Sequence, residues 1–211
     1  MEKHSAVYIS FSENPILFSD NTFESNTGVF GGAFSIDTPN FMALDFTDDS
    51  RLKPFIVIQR NTFQYNQAYL SGNAVYTRFT RQRGVERESK QACGTGIEFK
   101  SNKFYYNAPI IQASNGGAVS LECDFVSLEN TSRIGASNDL FTSWNNAKTI
   151  FDPEDSKKSF TIFSSAVAFR TNEFKSNYIG QKGSAIYARQ ITFLMVDQNI
   201  FDSNGPAYQY N

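Results

Sequence analysis

The outline Asn-x-Phe-x-x-Asn occurs five times, at residues 21–26, 61–66, 102–107, 172–177 and 199–204, and all three fixed positions hold in every copy. Such repetition limits the fold more than any composition does. Each copy is one structural unit that buries its apolar face only against its neighbours. A second motif follows most copies: GGAFSI (31–36), SGNAVY (71–76), GGAVSL (116–121) and GSAIY (183–187). SAVYI at 5–9 lacks only the leading glycine. A third element precedes each Asn-x-Phe: ILFSD (16–20), PFIVIQ (54–59), GIEFKS (96–101), VAFRT (167–171) and ITFLMVDQ (191–198).

The third element is rich in β-branched and aromatic residues and often alternates apolar with polar, so it reads as a short strand. Each repeat is therefore predicted to hold three short strands with turn residues between them. The tightest repeat, from Asn172 to Asn199, steps 27 residues, which suits one coil of a three-sided parallel solenoid. An up-and-down barrel gives no reason for one Asn at one place per period. No stretch holds a 3.6-residue apolar period for three turns, which removes a helical solenoid.

Stacking at about 4.8 Å gives the fixed residues their roles. Phe23, Phe63, Phe104, Phe174 and Phe201 are predicted to stack inward as the core. Asn26, Asn66, Asn107, Asn177 and Asn204 are predicted to form an internal amide ladder, which satisfies buried polar groups. These asparagines are also expected to take the left-handed backbone that corners need. The small residues before each Ala fit a tight corner.

The paired motifs GGA[ILV] and FxxN resemble the repeats of chlamydial-type polymorphic outer-membrane proteins and of large protozoan surface proteins. That resemblance implies an all-β, right-handed parallel β-helix of the pectin-lyase-like kind. It also implies an extracellular or cell-surface adhesin or structural stalk. Several copies here lack the full GGA, and residues 1–211 contain no membrane-anchoring barrel. The chain opens and closes in mid-repeat, so we expect a single segment of a longer array, with further coils of a parent chain at both ends and any membrane anchor elsewhere.

Spacing places the insertions. Ala185 to Asn199 is 14 residues and Ala6 to Asn21 is 15, but Ala33 to Asn61 and Ala74 to Asn102 are 28 each and Ala118 to Asn172 is 54. The extra length, at about 37–53, 78–91 and 122–159, always follows the Ala-motif strand and should leave from one edge. The first insertion is acidic with apolar spots. The second carries Arg78, Arg81, Arg83 and Arg87, and the third carries the single tryptophan, Trp144. Loops on a rigid scaffold commonly bind, so these are the candidate contacts for protein or glycan partners. Solvated decoration of the flank is the plainer alternative. Asn130-Thr131-Ser132 is a glycosylation sequon in the longest insertion. Cys93 and Cys123 fit either one disulfide or two buried thiols.

Composition excludes some functions. The net charge of -2 argues against a nucleic-acid partner. No run of about 18 apolar residues marks a membrane span, and MEKHSAVYIS lacks the apolar region of a secretory signal. One histidine, His4, cannot build a multi-histidine metal site or supply a central triad. Asp48 with Asp49, and Asp152 with Glu154 and Asp155, match no calcium loop. No metal or cofactor is expected. Acids fall in the insertions rather than in a repeated register, so the segment reads as a non-catalytic structural rod. The alternatives are a polysaccharide lyase or hydrolase of the same fold and an architectural component of a large cellular assembly.

Overall fold

The structure is a computed structural model that describes residues 5–10, 16–39, 56–80, 97–111, 115–123, 167–191 and 194–206. Sheet A joins the Ala-motif strands β1 (Val7–Ser10), β5 (Phe34–Pro39), β9 (Val75–Thr80), β13 (Val119–Cys123) and β17 (Ile186–Arg189). Sheet B joins β2 (Ile16–Ser19), β6 (Ile56–Gln59), β10 (Ile97–Lys100), β14 (Val167–Arg170) and β18 (Leu194–Asp197). Sheet C is built from the Asn-x-Phe motifs: β3 (Thr22–Glu24), β7 (Thr62–Gln64), β11 (Lys103–Tyr105), β15 (Glu173–Lys175) and β19 (Ile200–Asp202). Neighbours within each sheet are four strands apart in the chain, and every pairing is parallel. Each turn of the chain thus adds one strand to each sheet. That arrangement is a parallel β-solenoid of five coils among the described residues.

A coil holds four strands rather than the predicted three. After the second Asn, β4 (Thr27–Phe30), β8 (Gln67–Ser71) and β12 (Ala108–Pro109) pair as sheet D, and β16 (Tyr178–Ile179) pairs with β20 (Gly205–Pro206). These segments share no residue pattern. Main-chain bonds such as Gln67 N–H to the Asn26 carbonyl (2.8 Å) and Tyr178 N–H to the Asn107 carbonyl (2.9 Å) hold them.

Alternation within the strands makes the core. Ile56 and Ile58, Ile97 and Phe99, and Val167 and Phe169 point inward from sheet B and are buried. In sheet C the Phe rings stack nearly parallel: Phe23 on Phe63 at 5.0 Å, Phe63 on Phe104 at 4.9 Å, Phe104 on Phe174 at 4.7 Å and Phe174 on Phe201 at 5.1 Å. The spacing is the strand repeat itself. Phe63, Phe104 and Phe174 are fully buried, but Phe201 is 50 % exposed and Phe23 only partly buried. The expectation of five interior rings therefore needs correction at both ends. The outer faces of Phe23 and Phe201 carry no further ring among the described residues.

The first residue of the small-small-Ala motif makes the corner into sheet A. Gly31, Gly72, Gly116 and Gly183 take φ of +62°, +64°, +78° and +68°, where glycine meets no steric cost. At the next position a Cβ on Gly32 would strike the Asn73 and Gln67 carbonyls of the neighbouring coil.

Phe104→Ala should cost about 3–5 kcal/mol, because a ring stacked on both faces leaves a cavity that rigid coils cannot close. Phe201→Ala, stacked on one face, should cost less than half as much. Equilibrium denaturation of the two variants checks the ratio.

Candidate functional site: the asparagine ladders and the insertion edge

The second Asn of each motif lies beside the Asn of the next coil. The Asn66 N–H and Nδ2 both donate to Asn107 Oδ1 at 3.0 Å. Asn107 does the same to Asn177 Oδ1 at 3.2 and 2.9 Å, and Asn177 to Asn204 Oδ1 at 3.0 and 2.9 Å. The remaining Nδ2 hydrogen goes the other way. Asn66 donates to the Phe23 carbonyl (3.0 Å), Asn107 to that of Phe63 (3.0 Å), Asn177 to that of Phe104 (2.8 Å) and Asn204 to that of Phe174 (2.8 Å). Asn66, Asn107 and Asn177 are fully buried, whereas Asn26 and Asn204 are part-exposed.

A second ladder runs through the first Asn of each motif, to which the sequence reading gave no role. Asn21, Asn61, Asn102 and Asn172 each donate N–H and Nδ2 to the Oδ1 of the next, ending on Asn199, over 2.8–3.1 Å. The signal was in the sequence, since this Asn is as constant as the other. The two ladders bracket each three-residue strand of sheet C and fix where its Phe points.

The left-handed residue is not the asparagine. It is the residue before it: Ser25 (φ 55°), Tyr65 (57°), Tyr106 (54°), Ser176 (50°) and Ser203 (54°) before the second Asn, and Asp20, Arg60, Ser101, Thr171 and Gln198 before the first. Turning at that residue leaves the Asn in ordinary backbone with its amide aimed along the coil axis. Six of these left-handed residues pair side chain to side chain between coils. Arg60 grips Asp20 with two bonds of 2.7 Å, and this holds the Asp20 carboxyl below its usual range. The Ser101 and Thr171 hydroxyls lie 2.8 Å apart, and the Tyr65 and Tyr106 rings stack at 5.3 Å.

The three long insertions all lie between a sheet A strand and a sheet B strand: after β5 and before β6, after β9 and before β10, after β13 and before β14. Their starting points need correction. Asp37, Arg78 and Glu122 belong to β5, β9 and β13. They stand in one row, Asp37 beside Arg78, Arg78 beside Glu122 and Glu122 beside Arg189. Signs alternate along that row. Arg78 is thus a sheet residue. Arg81, Arg83, Arg87, Trp144, Asn130 and Cys93 lie outside the described residues. Cys123, buried at the end of β13, is disulfide-bonded, and Cys93 is the sequence's other cysteine.

Chemistry beyond structure is sparse among the described residues. No three His, Cys, Asp or Glu side chains gather as metal ligands, and no helix is long and apolar enough to cross a membrane. One polar cluster among the described residues joins Ser71 Oγ to Ser120 Oγ (2.8 Å) and to Glu122 Oε1 (3.0 Å). Tyr105 donates to Glu173 Oε2 across coils at 2.6 Å, and burial together with that bond pushes its phenol up to about 12. The chain matches no family model, no curated protein and no solved structure.

Asn107→Ala strips the Asn66 N–H and Nδ2 of their acceptor and the Phe63 carbonyl of its donor. At about 1–3 kcal/mol per orphaned buried group it should cost about 3 kcal/mol or more. Asn26→Ala, whose oxygen accepts nothing from another coil, should cost only about 1 kcal/mol. Urea melts compare the two.

For Tyr105, the folded state holds the phenol proton more tightly than the unfolded chain. Its contribution is whole below pH 10 and lost as pH rises through about 12. Phenolate absorbance should show one phenol ionising near 12 that vanishes in Tyr105→Phe. An unchanged titration would remove the inter-coil bond.

Proposed function

We propose that this chain is a non-catalytic β-helix rod of an extracellular or cell-surface protein, holding loops in line along one edge for protein or glycan partners. The observation that carries the reading is the common exit point of the insertions. Three segments of unlike chemistry leave from the same junction of sheets A and B in successive coils. Coils stack at about 4.8 Å, so the roots of adjacent loops stand within reach of one partner surface. Arg and Trp are frequent interface anchors, which favours the arginine-bearing insertion and the one with Trp144.

Support for the location comes from Cys123. A disulfide persists in oxidising compartments. The reading also takes the coils as right-handed, the hand of nearly all parallel crossovers, and as three-sided at heart. It places the chain with the surface proteins its GGA[ILV] and FxxN motifs resemble, and it takes Asn130 as a glycan site.

The test is to shorten each insertion to the length between Ala185 and Asn199 and measure recovery of partners from native material. Loss of partners with one or more shortened forms is the expected result. If all three fold and keep every partner, binding belongs to the bare coil faces and the reading fails.

A further inference from the structure

The flank that leads from sheet C into sheet A carries no charge. Residues 25–36, 65–77, 106–121 and 176–181 contain no Asp, Glu, Lys or Arg, whereas the strands of sheets A, B and C all do, among them Arg78, Glu98 and Lys103. The same flank holds exposed apolar side chains. With coils numbered one to five by their Asn-x-Phe motifs, the exposed large hydrophobic residues described in coils two to four are Tyr65, Tyr69, Leu70, Tyr106 and Ile111, each 39–51 % exposed. All five lie between the corner before the second Asn and the Ala motif. This surface is on the side of the rod, so a coil stacked before the first or after the fifth would not cover it. A charge-free apolar surface of this kind marks a contact site.

The flank is lopsided in a way that fits itself. From coil one to coil five the corner row reads Ser25, Tyr65, Tyr106, Ser176, Ser203. Two residues on, the row reads Thr27, Gln67, Ala108, Tyr178, Gly205. Two further on, coil three has Ile110 and coil four has Gly180. A two-fold axis running along the strands between coils three and four lays each row on itself with the coil order reversed. Coil two then faces coil five of the second copy, and coil three faces coil four. Tyr65 meets Ser203, Tyr106 meets Ser176 and Gln67 meets Gly205. Ala108 meets Tyr178 and Ile110 meets Gly180. Large meets small at each of these places, and no charged residue enters the rows. An axis half a coil or a whole coil nearer coil one would set Tyr106 on itself or on Tyr65, with large against large.

We propose that this flank pairs with the same flank of a second copy of the chain, as a two-fold dimer of antiparallel rods. The self-match of the rows is what commits the surface to a copy of itself rather than to an unlike partner. The contact is isologous, so it closes at two. It uses a different side of the coil from the loops, since the insertions enter between sheets A and B. The face spans about 19 Å along the rod and about 17 Å along the strands. That is small beside the roughly 800 Å² per partner of a standard complex, so the pairing is weak and reversible.

The test uses the full chain in sedimentation equilibrium at high concentration. Wild-type average mass should rise with concentration toward that of a dimer. Tyr106→Arg and Ser176→Glu each bury a charge against a neutral surface, so each variant alone should be monomeric where wild type pairs. Their equimolar mixture should pair again. The guanidinium of one chain then faces the carboxylate of the other, and the second Tyr106–Ser176 contact is the wild-type one. Only the proposed axis gives that rescue. Wild type monomeric up to about 1 mM, a single variant that still associates, or a mixture that stays monomeric overturns the proposal. Cooperative melting verifies that each variant folds. If one does not, Ala108→Glu and Tyr178→Arg face each other across the same axis and replace the pair. Partner recovery by the loops is scored separately, so a monomeric wild type that keeps its loop partners sinks this inference and spares the rod reading.

Discussion

Everything in this solenoid hangs on a side-chain amide standing in for a peptide group. At each end of the sheet C strand the chain turns through a left-handed residue, and the regular main-chain ladder breaks there. One N–H, that of the Asn, and one carbonyl, that of the Phe in the adjacent coil, lose their partners. The Asn amide serves both, since its oxygen takes the N–H of the preceding coil and its nitrogen reaches back to the Phe carbonyl. Asp lacks the donor and Ser the second arm. A left-handed non-glycine residue costs about 1–2 kcal/mol, and the three bonds of one amide at roughly 0.5–1.5 kcal/mol each offset it.

This substitution divides the coil into a constrained inside and a free outside. Inside, Asn and Phe recur because stacking like on like is what a parallel in-register column permits. Outside, the left-handed positions hold Asp, Arg, Ser, Thr, Gln or Tyr. Ten corners turned by such varied residues show that the turn is enforced from within by the amide, not by the preference of the residue that makes it. The three long insertions enter elsewhere, between a sheet A strand and a sheet B strand.

The same division decides how much could be read from the sequence. The repeats, the parallel stacking, the inward Phe and the strands of sheets A to C follow from residues that cannot vary. The first Asn was equally constant, and only its role was missed. The left-handed position was misplaced onto Asn because the true one has no characteristic residue. Sheet D went unseen since Thr27–Phe30 and Ala108–Pro109 have only main-chain pairing in common. Asp37, Arg78 and Glu122 look like the start of charged loops until register sets them side by side. Phe201 reads as core in any single repeat, and its exposure is a property of the stack.

A column of identical asparagines specifies spacing but not order, because any coil satisfies any other. Connectivity brings consecutive coils together, yet steps of 27 to 70 residues leave room for a coil to be skipped. Two rows of sheet A outside the central column supply the missing discrimination. On sheet A, Asp37, Arg78, Glu122 and Arg189 alternate in sign. The row Tyr8, Ser35, Tyr76, Ser120 and Tyr187 alternates large with small. Omitting one coil from either row would set like charge on like charge, or ring on ring and hydroxyl on hydroxyl. The central column supplies cohesion that is nearly blind to identity, and the order of the coils is carried by the sheet A rows outside that column, one of them largely buried.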